Sequence, residues 1–512
     1  MVRSSTHPQH GAMGTLIRHR AEGPAAPPPA PNPELPTALE PIPTDPFHFL
    51  APDRFDAAID AALAGSRHAV FWLEDAPGTA YAPLAGDATA DLTVVGGGYC
   101  GLWTAVLAKR RNPGARVRLL EARTIGWAAS GRNGGFCEAS ITHGEENGRR
   151  RWPEEYDLLE RLGRENLDAF EKDVTDLGLD AEYERTGALA VAVEEHQVDW
   201  LRDEPGFLDA AAVRREIDSP VFLGGVWDRE DCALVHPAKL ARELARAATD
   251  LGVEIHEQTT VTDLDSGPDS GQGGPVRVRT AGGTVTSDLV VLATNVFPSL
   301  LRRARLLTVP VYDYVLVTEP LTDAQLAAVG WGHRQGLSDL ANQFHYSRLT
   351  ADNRILWGGY DAIHRRTVRG AHEERPESFR RLASHFLTVF PQLEDVRFSH
   401  RWAGAIDTST RFAAFHGLAR HGRVAYAAGF TGLGVGATRF AAEVMLDRLS
   451  GLTTERTGLE MVRRKPLPFP PSPIADAGIA LTRWSLDRAD HREGRRNVFL
   501  RTLDKAGLGF DS

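Results

Sequence analysis

Asp91-Leu-Thr-Val-Val-Gly96-Gly97-Gly98-Tyr99-Cys100-Gly101 decides how the rest of the chain is read. A short apolar strand runs straight into GxGxxG, with its glycines at Gly96, Gly98 and Gly101. The first glycine permits a tight turn and the second lets a pyrophosphate approach the backbone; the third lets the next helix sit close to the strand. A helix is predicted over Leu102–Arg111, ended by Pro113-Gly114. Its N-terminus offers amide donors and a partial positive charge to phosphates. Arg116–Glu121, RVRLLE, is the second strand, and Glu121 stands twenty residues beyond Gly101. A carboxylate there accepts hydrogen bonds from both ribose hydroxyls and disfavours a 2′-phosphate. This βαβ start predicts an α/β protein with a Rossmann domain, and by itself it fits NAD or FAD equally.

Three further stretches decide between them. Gly126-Trp-Ala-Ala-Ser130-Gly131-Arg132-Asn133-Gly134-Gly135 is a small-residue loop flexible enough to wrap a long dinucleotide and pass under a flavin ring. Thr294 and Asn295 end the buried strand DLVVLAT at 288–294. Gly429-Phe-Thr-Gly432-Leu-Gly434-Val-Gly436 follows a strand at Arg423–Ala428 and precedes a helix over Ala437–Leu449. Amides and dipole at that helix start would stabilise negative charge on the pyrimidine side of a reduced flavin.

With ALVHPAKL (233–240) added, four ordered motifs resemble the FAD-dependent glycine/D-amino-acid oxidase (DAO) family, in its gamma-glutamylputrescine oxidase-like branch. The others are VVGGGYCG, GWAASGRNGG and AAGFTGLGVGATR, and the resemblance spans residues 90–470. It implies a glutathione-reductase-like FAD-binding domain, discontinuous in sequence, with an inserted β-rich substrate domain. It also implies oxidation of the C–N bond of an amine or amino acid to an imine, which hydrolyses to a carbonyl compound. Carried over residue by residue, Gly96, Gly98 and Gly101 meet the pyrophosphate, Glu121 the ribose, and Arg123 the adenosine. Ser130, Arg132, Asn133 and Gly134 lie on the path to the flavin, and Val261 meets adenine through its backbone. Thr294 and Asn295 approach the dinucleotide; Phe430, Thr431, Gly432, Gly434 and Val435 sit at the flavin. Some relatives join a histidine covalently to flavin where this chain has Arg132, and others a cysteine near Trp402-Ala403, so FAD is expected to bind non-covalently. A lysine that promotes oxygen reaction in sarcosine oxidases is matched here to Trp357.

Flavin amine oxidation asks little acid–base chemistry of the protein, mainly positioning and a dry pocket. The resemblance puts His143, Tyr346, Arg348, Trp357 and Tyr360 over the flavin. Arg348 has the fork for a substrate carboxylate or phosphonate, or else bridges two domains. The aromatic residues either face the substrate or pack the core. His143 either tunes amine protonation near neutral pH or is structural. His236, before Pro237, reads as a helix start. No metal site, Ser/His/Asp order or HExxH motif occurs. Oxygen giving hydrogen peroxide is the expected acceptor; a quinone- or flavoprotein-linked dehydrogenase and a non-catalytic flavin-binding protein are the alternatives. The identity of the amine stays open.

Composition sets the outer bounds. The chain has 512 residues and a net charge of −10, which argues against a phosphate-backbone binder. Three dispersed cysteines fit a reducing compartment, and no apolar run is long enough to span a membrane. A cytoplasmic location is expected. Ten prolines between Pro24 and Pro46 make residues 1–46 an extended or disordered tail, either solvated or recognised by a proline-binding partner. Met13 is an alternative start. The expected plan continues with an extension at 47–90 packing on the core. The FAD-binding domain takes 91–180, 230–305 and 400–470; the substrate domain takes 181–229 and 306–399. A charged, amphipathic extension at 471–512 completes it.

Overall fold

A computed structural model of the chain describes residues 52–266, 274–505 and 507–509. The expected 1–46 tail lies outside them. Among the described residues the strands form a ten-stranded sheet, an eight-stranded sheet and a two-stranded ribbon.

The eight-stranded sheet grows from the glycine motif. Ala88–Val95 pairs in parallel with Val117–Leu120 on one side and Gly283–Leu292 on the other. Glu254–His256 and Val424–Ala428 extend the parallel ladder outward. Such strands are covered on both faces, and they read as continuous apolar runs because neither face meets water. The Tyr99–Arg111 helix follows the glycine turn and packs against the Pro237–Asp250 and Gly434–Leu449 helices in one alanine-rich core. The helix begins three residues earlier than the sequence suggests. Tyr99 and Cys100 are already helical and buried, so the dipole starts at the glycines themselves. His236 caps the Pro237–Asp250 helix, its Nδ1 accepting from the Lys239 amide at 3.1 Å.

The ten-stranded sheet is built on Thr308–Thr318, Ile355–Gly359, His345–Leu349 and Ala188–Ala192. One face packs on the Pro376–Val389 helix through Tyr312, Tyr314, Trp357, Phe386 and Phe390. The opposite face looks toward the glycine motifs. Phe398–Ser409 pairs along its length with Thr308–Thr318, so the segment expected to re-enter the FAD domain at residue 400 starts inside this sheet instead. The N-terminal extension is also tied in: Arg67–His68 pairs with His400–Arg401, and Trp72 is wholly buried beside Trp402 and Val315.

Candidate functional site

A cavity of about 1280 Å³ runs between the two large sheets, from the glycine turn at Gly96 to the C-terminal helices. Single-site ligand pockets are commonly about 300–1,000 Å³, so this volume suits a dinucleotide with a substrate beside it.

At one end the wall is mostly backbone. Gly96, Gly98, Glu121, Arg123, Ser130, Arg132, Asn133 and Gly134 line it, with Val261, Thr294 and Asn295 across from them. Glu121 is held as a receptor: it accepts from the Gly97 amide at 2.7 Å, the Arg123 amide at 2.8 Å and Trp127 Nε1 at 3.0 Å. Burial nevertheless raises its pKa above the usual carboxylate value. Arg123 stacks its guanidinium over the Trp127 ring, 4.3 Å from the centroid. Ser130 Oγ accepts from the Tyr99 amide at 3.0 Å, and a Cβ on Gly98 would stand 2.8 Å from that oxygen. Gly101 turns away from the cavity, where a Cβ would come within 1.9 Å of the Gly96 carbonyl oxygen. Its task is close packing of helix on strand.

Further in, Phe430, Thr431, Gly432, Gly434 and Val435 line the middle. Added Cβ atoms on Gly432 and Gly434 would meet nothing within 4 Å, so the turn before the Gly434–Leu449 helix is open to the cavity. These features fit FAD: a carboxylate receptor for ribose, bare glycine backbone for pyrophosphate, and a helix start facing open space for the ring. Arg132 and Trp402-Ala403, the two positions where the resemblance led to an expectation of no covalent flavin link, are neighbours. Arg132 donates to the Ala403 carbonyl at 3.1 Å and to Glu373 at 2.6 Å, and Trp402 Nε1 donates to the Arg132 carbonyl at 2.9 Å. Neither position offers a nucleophile. Cys137 is fully buried outside the cavity wall, and burial raises its thiol pKa.

The far end is built from side chains. Tyr346 lies between two glycines, since a Cβ on Gly134 or Gly358 would stand 2.7 or 2.5 Å from its ring. Its hydroxyl donates to Asp313 Oδ2 at 2.5 Å. Asp313 is half-buried on the cavity wall, and desolvation pushes its carboxyl up to about 6 despite hydrogen bonds from Tyr346 and backbone amides. Asp407, buried on the wall, accepts from the Gly429 amide at 2.5 Å, and burial pushes it up to about 7. Glu138 is a third acid on the wall, also buried and raised well above the usual range by desolvation. Sequence reasoning missed all three. Asp313 had a signal: a carboxylate in the otherwise apolar run TVPVYDYVLVT.

The five catalytic candidates divide. Tyr346, Tyr360 and His143 line the cavity. Tyr360 takes a positive φ of 61° and stacks on His345, 5.3 Å between centroids. Burial lowers the His143 pKa to about 4, so it stays neutral near pH 7 and does not tune amine protonation there. Two expectations are corrected. Trp357 is on the opposite face of the sheet, stacked 4.8 Å from His345 in the core; pleat alternation puts Gly358, not Trp357, beside Tyr346. Arg348 shares the face of Tyr346 but is sealed beneath the Gly135 backbone, 1% exposed. It donates to the Val235 carbonyl at 2.6 Å and the Leu349 carbonyl at 3.2 Å. It ties the ten-stranded sheet to the chain at Val235, just after the Cys232–Leu234 ribbon strand, and does not line the cavity.

Fold and cavity together define a flavin-dependent oxidoreductase. Residues 91–448 match the FAD dependent oxidoreductase (DAO) family, and the chain belongs to it. Among curated relatives, gamma-glutamylputrescine oxidoreductase of Escherichia coli is 32% identical over 386 residues, covering 71% of this chain and 84% of its own. A probable oxidoreductase OrdL of Haemophilus influenzae is 28% identical, covering 72% of this chain and 85% of its own. In fold the chain is similar to the crystal structure of glycine oxidase from Geobacillus kaustophilus, with a TM-score of 0.58 and 20% identity over 74% of this chain and 99% of that one. The cofactor is FAD. No helix among the described residues is long and apolar enough to cross a membrane.

Proposed function

We propose that this protein oxidises the C–N bond of an amine to an imine, with dioxygen as terminal acceptor. The observation that carries this reading is the Tyr346–Asp313 pair facing the cavity beyond the open turn at Gly432 and Gly434. The names of the relatives, a gamma-glutamylputrescine oxidoreductase and a glycine oxidase, support the amine class. When bound, FAD supplies a two-electron acceptor for the hydrogen and electron pair leaving the substrate carbon.

The rest of the work belongs to the chain. Because Tyr346 donates its proton to Asp313, its oxygen lone pairs face outward and accept an amine N–H. Above pH 6 Asp313 is a carboxylate, which favours holding the amine nitrogen and taking up its proton. The glycines around Tyr346 fix its ring and keep this acceptor in place. Water then splits the released imine into a carbonyl compound and ammonia or an amine, and dioxygen takes two electrons and two protons to leave as hydrogen peroxide. The roles given to the dinucleotide-side residues, from Gly96 to Val435, belong to this proposal. Cys100, Cys137 and Cys232 are buried free thiols, which supports a reducing, cytoplasmic setting.

An anaerobic titration of the yellow holoenzyme with amines tests the reading: the flavin band should bleach, and admitting air should restore it with one peroxide per amine. Bleaching that air does not reverse, but a quinone does, would replace the oxidase with a dehydrogenase.

A further inference from the structure

The family match ends at residue 448, but the cavity wall does not. The Ile474–Asp490 helix presents Ile474, Gly478, Ile479, Thr482 and Leu486 to the cavity, a spacing that puts them on one helical face. The Val498–Lys505 helix adds Phe499 and Leu503, four residues apart.

Polar bonds moor this segment at both rims. On the substrate-sheet side Asp490 accepts from the Asn342 amide at 2.9 Å, Asp487 accepts from Gln343 Nε2 at 3.2 Å, and Asp476 accepts from Arg366 at 2.6 Å. On the other side Thr410 donates to the Leu467 carbonyl at 2.8 Å, and Arg151 donates to the Gly507 carbonyl at 2.7 Å. The charged groups are spent on the rims, while the apolar face looks into open volume. An apolar surface left facing water gains nothing by being held there; filling it with an apolar ligand does.

The charges at this end point the same way. Asp313 faces the space. The arginines lining this end are already paired with acids: Arg132, beside Gly404 across the ladder from Asp313, pairs with Glu373, and Arg483 donates to Asp361 at 3.2 Å. A carboxylate on the reacting carbon would meet Asp313 with both arginines held elsewhere.

We propose that residues 467–505 form a fixed apolar roof over the substrate end of the cavity, and that the substrate is an amine with an uncharged alkyl or aryl body and no carboxylate on the reacting carbon. This rests on the amine-oxidation reading above and specifies its substrate class. One methylene in a fitted apolar pocket changes kcat/KM by roughly 10- to 200-fold, so chain length is the variable to scan.

The test is anaerobic flavin bleaching of the holoenzyme with n-alkylamines of increasing length, phenethylamine, glycine, sarcosine and 6-aminohexanoate. The second-order bleaching rate should climb about tenfold or more with each added methylene to an optimum, with glycine and sarcosine inert. Gly478→Phe should move the optimum to shorter chains, because a Cβ at Gly478 meets nothing within 4 Å and the ring enters the cavity. Ile479→Ala should move it to longer ones, and both variants should retain full FAD. Equal bleaching at every length, an optimum unmoved in both variants, or faster reaction of the carboxylated amines overturns the roof while leaving amine oxidation standing. Bleaching by no amine removes both.

Discussion

The two ends of the cavity are made of different atoms. Around Gly96 and Glu121 the surface is backbone: amides, bare glycine carbons and one carboxylate held by three donors. Around Asp313 and Tyr346 it is side chains, drawn from strands far apart in sequence and closed by helices from the C-terminus. A backbone-built end recognises phosphate and ribose, which every dinucleotide carries. Side chains exchange without altering the sheet beneath them, and specificity resides there.

The largest effect expected from breaking this contrast is at the backbone end. Gly101→Val forces a side chain into the 1.9 Å gap above the Gly96 carbonyl. It should cost about 3 kcal/mol or more of stability and yield colourless protein, seen in the flavin absorbance of the purified variant. Normal FAD content would mean that the turn is not under this constraint.

Glu121→Ala comes next. Hydrogen bonds to a charged group are worth about 1.5–3 kcal/mol each, so FAD affinity should fall roughly 10- to 1000-fold. Fluorescence titration of apoprotein with FAD measures this, and an unchanged dissociation constant would remove Glu121 from the ribose site.

At the side-chain end, Asp313→Asn should lower kcat/KM about 10- to 100-fold and erase a limb near pH 6, below which the wild-type carboxyl is protonated. Stability should respond with the opposite sign. A carboxyl whose pKa is raised on folding contributes stability that is present below its unfolded pKa of about 4. That contribution is lost as pH rises through about 6. Wild type should therefore lose stability relative to Asp313→Asn across that window in urea melts at stepped pH. Parallel curves would show that Asp313 does not titrate there.

Arg348→Met separates packing from recognition on the strand that carries Tyr346. It should cost about 1–2 kcal/mol in thermal stability and leave the preference between neutral and anionic amines at the wild-type ratio. A changed ratio would return Arg348 to the substrate. The smallest effect is a null: acid precipitation should release all the yellow colour, because the neighbouring positions Arg132 and Trp402-Ala403 hold no nucleophile. Colour in the pellet would point to an attachment elsewhere.

The amino-acid sequence by itself determined the dinucleotide end. A strand, a turn and a helix that follow one another in the chain must also meet in space, so the spacing Gly96-Gly98-Gly101 and the carboxylate at Glu121 carry their geometry with them. The small-residue stretches at Gly126–Gly135 and Gly429–Gly436 were legible for the same reason. Tertiary structure alone decided the substrate end. Pleat parity sends Tyr346 and Gly358 to the cavity and Trp357 to the core, and a shift of one residue in register reverses that assignment. Arg348 has the right parity and still misses the cavity, because the chain at Gly135 and Val235 crosses over it. Asp313 meets Tyr346, thirty-three residues away, only because their strands flank Ile355–Gly359 in one sheet and Gly358 lets the tyrosine ring pass across it. The last helices carry no motif at all. Their role arises from where long-range polar bonds to Asn342, Gln343 and Thr410 moor an apolar face, and nothing local in the chain encodes that placement.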